Sequence, residues 1–340
     1  MKNYILQDEN AVYFECGYSC DNLIFLNISG DKYFITDARY EIEAKLFAKN
    51  CEVVVTNDLV KATRKILKKS KIKKISFDPN DFKLLTYNSL KDNLDMKFVQ
   101  KPNFSKLKRI IKTDDEIKLL KKAMSLGREG FERFSSYIQK EGLGKSEKYL
   151  FFKAKEFMSN TGEFDLSFDP IVAINENSAK PHALPTDKIL LRDDLLLVDA
   201  GIKYQRYCSD RTCTSTVNKN LTFHRKQKFK TKLEQKVYDV VLKAQQIAIS
   251  KARTGMKASQ IDKLTRNIIE KAGYGKYFVH STGHGVGLDI HEYPTINSRN
   301  DVIIENNMVF TIEPGIYLGE QFGVRIEDTV VMKNGRAEIL

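Results

Sequence analysis

Five cysteines, five histidines and no long apolar run set the first limits on this 340-residue chain. A membrane-spanning helix needs roughly 18 or more consecutive apolar residues. Nothing here approaches that length, so a helical membrane protein is excluded. The opening residues, MKNYILQDENAVYFE, meet charge too early to supply the apolar core of a signal peptide. The cysteines (Cys16, Cys20, Cys51, Cys208 and Cys213) are odd in number and follow no paired metal spacing. A disulfide framework and a zinc knuckle are thereby disfavoured, and the chain reads as cytoplasmic with free thiols.

Charge is plentiful but scattered. The formal net charge of +12 invites a nucleic-acid reading. Its basic runs, KATRKILKKSKIKK (61–74) and NKNLTFHRKQKFKTKLEQK (218–236), lack interleaved aromatics and match no nucleic-acid module. They read as solvated helix faces and a surface excursion, with His224 an ordinary surface residue.

Two domains are expected, 1–112 and 113–340. The first alternates strand-like and helical patterns, with NLIFLNISGDKYFITDARY (22–40) forming two strands joined at a Gly-Asp turn. That alternation implies a small α/β domain. The second opens on a long amphipathic helix. Thr113 and Glu116 have capping-box spacing, and Ile117, Leu120, Met124, Phe131, Phe134 and Ile138 recur on one helical face. Further helices and β-rich stretches follow, with two helices expected in 233–272.

Chemistry enters with two hairpins. DDLLLVDAGIKYQRYCSDRTCTSTV (193–217) carries Asp199 at the end of an apolar strand and Asp210 near the start of the next. A turn centred on Tyr204-Gln205 would set the two opposite one another. Nearer the C-terminus, MVFTIEPGIY carries Glu313 and FGVRIEDTVVM carries Glu327. A loop centred near Glu320 pairs them in the same way. Directly opposed residues share a face, with Cβ atoms about 5 Å apart. Carboxylates that close repel unless a cation lies between them. Four carboxylates and a histidine exceed what one ion takes, whereas two divalent ions about 3.5 Å apart satisfy the count. Such oxygen-rich sites suit Mn²⁺, with Co²⁺, Fe²⁺ or Zn²⁺ as alternatives.

Histidine is concentrated where such a site needs it. FVHSTGHGVGLDIHEYP (278–294) holds three of the five. With Asp199, Asp210, His284, Glu313 and Glu327 in their motifs STGHGVGLDIHE, TIEPGIY and VRIED, the chain resembles the pita-bread dinuclear metallopeptidases. That family includes methionine aminopeptidase, Xaa-Pro aminopeptidase and Xaa-Pro dipeptidase. YFITDARYEIEA near the N-terminus is similar to the creatinase-like domain of the proline-specific branch. The resemblance implies an α/β (α+β) chain: a creatinase-like domain, then a catalytic domain with a curved antiparallel sheet flanked by helices.

It implies roles as well. Asp199 would bind one metal through both oxygens, Asp210 and Glu327 would bridge, and His284 and Glu313 would hold the second metal. A hydroxide between the ions would attack, and Glu313 would shuttle its proton to the leaving nitrogen. His291, in DIHE, would stabilise the oxyanion. His182, in KPHALP, and His280 would contact substrate. Arg325 would bond the metal-bound carboxylates from behind. On an extended segment His280 and His284 would face the same side. Gly283, Gly285 and Gly287 would let the backbone approach metals and substrate.

The expected activity is an Xaa-Pro aminopeptidase that acts, as a homodimer, on peptides with proline second. Xaa-Pro dipeptidase is the alternative. Two other classes share the fold: a metal-free C–N hydrolase of the creatinase type, which does not retain this carboxylate set, and a non-catalytic binding module.

Overall fold

A computed structural model describes residues 1–92 and 94–340 and divides the chain into two compact units, Met1–Arg109 and Ile110–Leu340. No helix among the described residues is long and apolar enough to cross a membrane.

In the first unit, six strands form one mixed sheet in the order β4-β3-β2-β1-β5-β6: β1 (Asn3–Leu6), β2 (Leu23–Ile28), β3 (Asp31–Thr36), β4 (Glu52–Val55), β5 (Lys74–Phe77) and β6 (Lys97–Gln100). Helices α1 (Glu9–Cys16), α2 (Glu41–Phe47), α3 (Leu59–Ser70), α4 (Leu84–Lys91) and α5 (Phe104–Lys108) connect them or follow them. The apolar alternation of β2 and β3 buries Phe25 and Phe34 with α1 residues and Ile24 and Ile35 with α3 residues. The β2–β3 turn falls on Ser29-Gly30, because Ile28 pairs with Asp31. Both turn residues have positive φ, which glycine accepts without strain. The expected Gly-Asp turn is therefore displaced by one residue.

The second unit begins with α6 (Asp114–Tyr137), which Thr113 and Glu116 cap reciprocally as their spacing foretold. Such a cap contributes about 1 kcal/mol. The six apolar positions picked out along this segment are all buried. α7 (Glu147–Met158) packs beside α6. β7 (Ile171–Ile174), β8 (Leu195–Ala200) and β11 (Arg211–Thr216) make a three-stranded sheet in the order β11-β8-β7. Between β8 and β11 lies a small hairpin, β9 (Lys203–Tyr204) and β10 (Tyr207–Cys208). After α8 (Lys232–Lys251) and α9 (Ala258–Lys271) come β12 (Gly283–Gly285), β13 (Glu292–Ile296), β14 (Val309–Ile312), β15 (Gly315–Leu318), β16 (Phe322–Arg325), β17 (Asp328–Lys333) and β18 (Arg336–Ile339). Five of these form a sheet in the order β13-β12-β14-β17-β18, and β15 pairs with β16. Every pairing described between strands of this unit is antiparallel.

The basic segment 218–236 departs from the expected surface excursion. Leu221 and Phe223 enter the core beside Phe131 and Phe134, and Phe229 packs on Tyr238 with ring centroids 4.9 Å apart. Its lysines and His224 face outward while Leu221, Phe223 and Phe229 are buried, so the segment is anchored at three points.

Candidate metal centre

The two hairpins converge. Asp199 lies on β8, directly across from Thr212 on β11, and Asp210 precedes β11. The expected pairing of Asp199 with Asp210 is thus wrong by two residues, because the turn centres on Gln205-Arg206. A shift of two keeps the side-chain face, so both aspartates still point to one side. The other hairpin follows the expected register. Ile312 pairs with Asp328 and Gly315 with Arg325, which leaves Glu313 and Glu327 facing each other in the break between the two ladders.

Asp210, His284 and Glu327 each offer a donor atom within 4.8 Å of the others' donors. His284 Nε2 stands 3.6 Å from Asp210 Oδ2 and 3.4 Å from Glu313 Oε1. Its Nδ1 lies 3.0 Å from the Gly285 carbonyl, which can only accept. The proton therefore belongs on Nδ1, and Nε2 turns a lone pair into the cluster.

The electrostatics describe a site short of positive charge. Burial, then the carboxylates of Glu327, Asp199 and Glu313, push Asp210 well above the usual range. Burial likewise raises Glu327, with Glu313 and Asp199 adding to it. Glu313 is pushed up to about 8, chiefly by burial, with Arg325 opposing and Asp199 reinforcing. Burial also keeps His284 neutral by lowering its pKa. Two buried carboxylate oxygens, Asp199 Oδ1 and Glu327 Oε1, have no hydrogen-bond partner. An unpaired buried acceptor costs about 1–3 kcal/mol, more when charged. Orphaned oxygens, an inward imidazole lone pair and crowded carboxylates together fit divalent cations.

Among the described residues, Arg325 donates directly to a carboxylate of this set. Its Nη2 donates to Asp199 Oδ2 at 2.7 Å, its Nε to Thr212 Oγ1 at 3.0 Å, and its Nη1 to Tyr317 OH at 2.8 Å and to the Pro181 carbonyl at 3.1 Å. Thr212 in turn donates to Glu327 Oε2 at 2.7 Å. Asp199 and Glu327 are thereby fixed through a shared pair, Arg325 and Thr212.

The remaining histidines are spread around the cluster. His291 is exposed, with its ring centroid 4.4 Å from that of His284. His182 lies exposed in the turn after Pro181. The chain is not extended through His280: it bends there and again at Thr282, so His280 and His284 have separate surroundings. His280 Nδ1 meets the Ser281 carbonyl and Nε2 meets Tyr317 OH, each at 2.8 Å. Both ring nitrogens are occupied. Burial, with Arg325 next, lowers its pKa to about 4.

Gly283 and Gly285 in β12 and Gly287 just after it have a packing role. A methyl group on Gly283 would overlap the Thr311 carbonyl, on Gly285 the Tyr293 carbonyl, and on Gly287 the Glu292 carboxylate. They let neighbouring backbone and Glu292 close in, and so hold the His284 segment tightly against its sheet.

Three residues of the network escaped the sequence reading. Tyr317 and Thr212 look like ordinary strand residues until the registers are known. Alternation from the Gly315–Arg325 pair puts Tyr317 on the Arg325 face, and the Asp199 pairing puts Thr212 beside the metal candidates. Glu147 is the third. Fully buried, it accepts from Ile174 N, Asn177 Nδ2, Thr186 N and Thr186 Oγ1, bracing the loop that carries His182.

Known proteins share this plan. Residues 118–334 match metallopeptidase family M24, and residues 1–117 match the creatinase/prolidase N-terminal domain. An uncharacterised peptidase of Bacillus subtilis is 35% identical over 92% of this chain and 86% of its own length. A solved Xaa-Pro dipeptidase from Bacillus anthracis superposes with a TM-score of 0.91 at 33% identity, covering 99% of this chain and 92% of that one. An X-Pro aminopeptidase from Thermotoga maritima gives 0.87 at 30% identity, covering 100% and 95%. With both domains matched and the catalytic match spanning more than half its length, the chain belongs to metallopeptidase family M24, with a creatinase/prolidase domain ahead of the catalytic unit.

Proposed function

We propose that this protein is a metal-dependent exopeptidase that releases the N-terminal residue preceding a proline. The observation that carries this reading is the cluster of four carboxylates around an imidazole lone pair, with two of its buried oxygens orphaned. Asp199, Asp210, His284, Glu313 and Glu327 would hold two divalent ions, Mn²⁺ first among the candidates. When bound, such ions polarise a carbonyl and make water a nucleophile near neutral pH.

The chain's own groups supply the rest. Glu313 Oε1 accepts from Thr311 at 3.2 Å, which leaves Oε2 to carry a proton to the leaving nitrogen. His291 lies at the exposed edge, where its ring can donate to the oxygen that gains charge as the carbonyl carbon turns tetrahedral. His182 sits on the braced loop beside Arg325 and faces the incoming peptide. His280, with both nitrogens bonded, contributes its ring edge as a pocket wall.

Proline is the substrate feature that demands a dedicated pocket, because its ring fixes φ and removes the N–H that general peptidases recognise. The named likenesses favour it too, since one is an Xaa-Pro dipeptidase and another an X-Pro aminopeptidase. The former supports a second reading, cleavage of Xaa-Pro dipeptides. Assay of Mn²⁺-loaded protein on Xaa-Pro and Xaa-Pro-Yaa decides. Tripeptide cleavage is expected, dipeptide cleavage alone selects the second reading, and cleavage of neither overturns proline specificity. The same reading includes a homodimer, which sedimentation of the purified protein tests, in the cytoplasm, which cell fractionation tests.

A further inference from the structure

The anchored basic segment reaches the metal centre from behind. Arg225 lies between its buried Phe223 and Phe229 and is itself half-buried. Arg225 Nη2 donates to the Glu327 backbone carbonyl at 3.0 Å and also to the Asp328 carboxylate. Gln245 Nε2 donates to the same carboxylate oxygen at 2.9 Å, and Tyr238 OH donates to the Arg225 carbonyl at 3.1 Å. From the other side, Glu327 N donates to the Thr212 carbonyl at 3.0 Å. The Glu327 peptide is thus held on both faces: β11 takes its N–H and Arg225 its C=O.

That peptide needs holding. Glu327 sits in the break between the β15–β16 and β14–β17 ladders, so no strand partner receives its carbonyl. Its side chain places Oε2 on Thr212 and leaves Oε1 without a hydrogen-bond partner, and one of its oxygens lies within 4.8 Å of donor atoms of Asp210 and His284. We infer that Arg225 is a positioning residue for the metal ligand Glu327, and that the basic segment exists in this chain to deliver it. The inference rests on the metal-centre reading above. Groups that orient metal ligands from outside the coordination shell typically change affinity about 10- to 100-fold when removed. A single nitrogen, Arg225 Nη2, meets the carbonyl and the carboxylate together.

The architecture also provides a specific control. A cavity of about 300 Å³, lined by Arg225, Gln245, Arg253, Asp328 and Arg336 among others, opens beside the guanidinium. Free guanidinium can therefore re-enter the space that a truncation leaves. Lys226, the next residue, is exposed and carries the same charge without touching Glu327.

The test is calorimetric titration of metal-stripped, full-length protein with Mn²⁺, alongside folding checked by circular dichroism. R225A is expected to bind about 10- to 100-fold more weakly. K226A is expected to match the parent, and millimolar guanidinium to recover most of the loss in R225A. Parent-like affinity in R225A overturns the inference, as does an equal loss in K226A, which would reduce the effect to net charge. Should R225A fail to fold, R225Q carries the test: it keeps most of the stem but loses the charge and the reach of Nη2, and parent-like binding by it overturns the positioning role. A parent protein that takes up no Mn²⁺ overturns the metal reading and this inference with it, whereas normal parent binding with an unaffected R225A sinks this inference alone.

Discussion

Stripping the metal should leave a protein that weakens as the solution becomes more alkaline. Asp210, Glu313 and Glu327 all have folded-state pKa values raised above the ordinary carboxylate range, Glu313 from 4.5 to about 8. The folded state therefore holds protons that the unfolded chain has released, and stability falls as pH rises between those values. His280, lowered from 6.5 to about 4, acts oppositely: its contribution is present above 6.5 and lost toward 4. Cys208 has its thiol raised by burial to about 11, so it begins to matter only as pH nears the ordinary thiol value of 9. Cys51, lowered by its bond to Cys16, opposes them below 9, but between pH 6.5 and 8 the three raised carboxyls outnumber it. Each carboxyl that stays protonated only in the folded state costs about 2 kcal/mol across that window. For a unit of this size, that corresponds to a fall in Tm of about 4–8 °C. Mn²⁺ at about one hundred times its Kd should add about 3 kcal/mol, with more at pH 8 than at 6.5 because ions and protons compete for the same oxygens. The assay is thermal unfolding by circular dichroism with chelator or Mn²⁺ at several pH values. A chelated protein whose Tm is flat or rises from pH 6.5 to 8 would refute the reasoning.

Other perturbations probe separate parts of the site. Glu313→Gln should nearly abolish turnover while flattening the alkaline fall in Tm, because the proton it carries and the charge it adds vanish together; retained activity on an Xaa-Pro-Yaa peptide contradicts the shuttle role. Arg325→Lys keeps one charge but cannot reach Asp199, Thr212 and Tyr317 at once, so Mn²⁺ affinity measured by titration should drop about 10- to 100-fold. Gly283→Ala drives a methyl group into the Thr311 carbonyl and should destabilise by about 3 kcal/mol, seen as a lower urea midpoint. Glu147→Gln puts an amide where four donors converge, and the loop of residues 175–186 should exchange its amide hydrogens faster while Mn²⁺ affinity stays unchanged.

The parts legible in the sequence were those with strict local rules. Thr113 and Glu116 announce a helix start because a reciprocal cap tolerates few other pairs. The Glu313–Glu327 register could be counted because both ladders share one centre at Glu320. The Asp199 hairpin could not be counted correctly, since its turn rests on Gln205 and Arg206, both with positive φ. Neither residue signals such a turn as glycine or asparagine would. The period-two alternation of strands still kept both aspartates on one face. Segment 218–236 misled because Leu221, Phe223 and Phe229 are isolated apolar residues in a run of basic and polar ones, so burial there is decided by distant partners. Tyr317 and Thr212 were hidden for a related reason: their roles depend on which residue lies across the ladder.

Metal stoichiometry tests the central claim most directly. Purified protein equilibrated with Mn²⁺ and then dialysed should retain two ions per chain by elemental analysis, and Asp210→Asn should reduce that number. Protein that retains none, or binds as much after that substitution as before, would contradict a metal centre built on Asp199, Asp210, His284, Glu313 and Glu327.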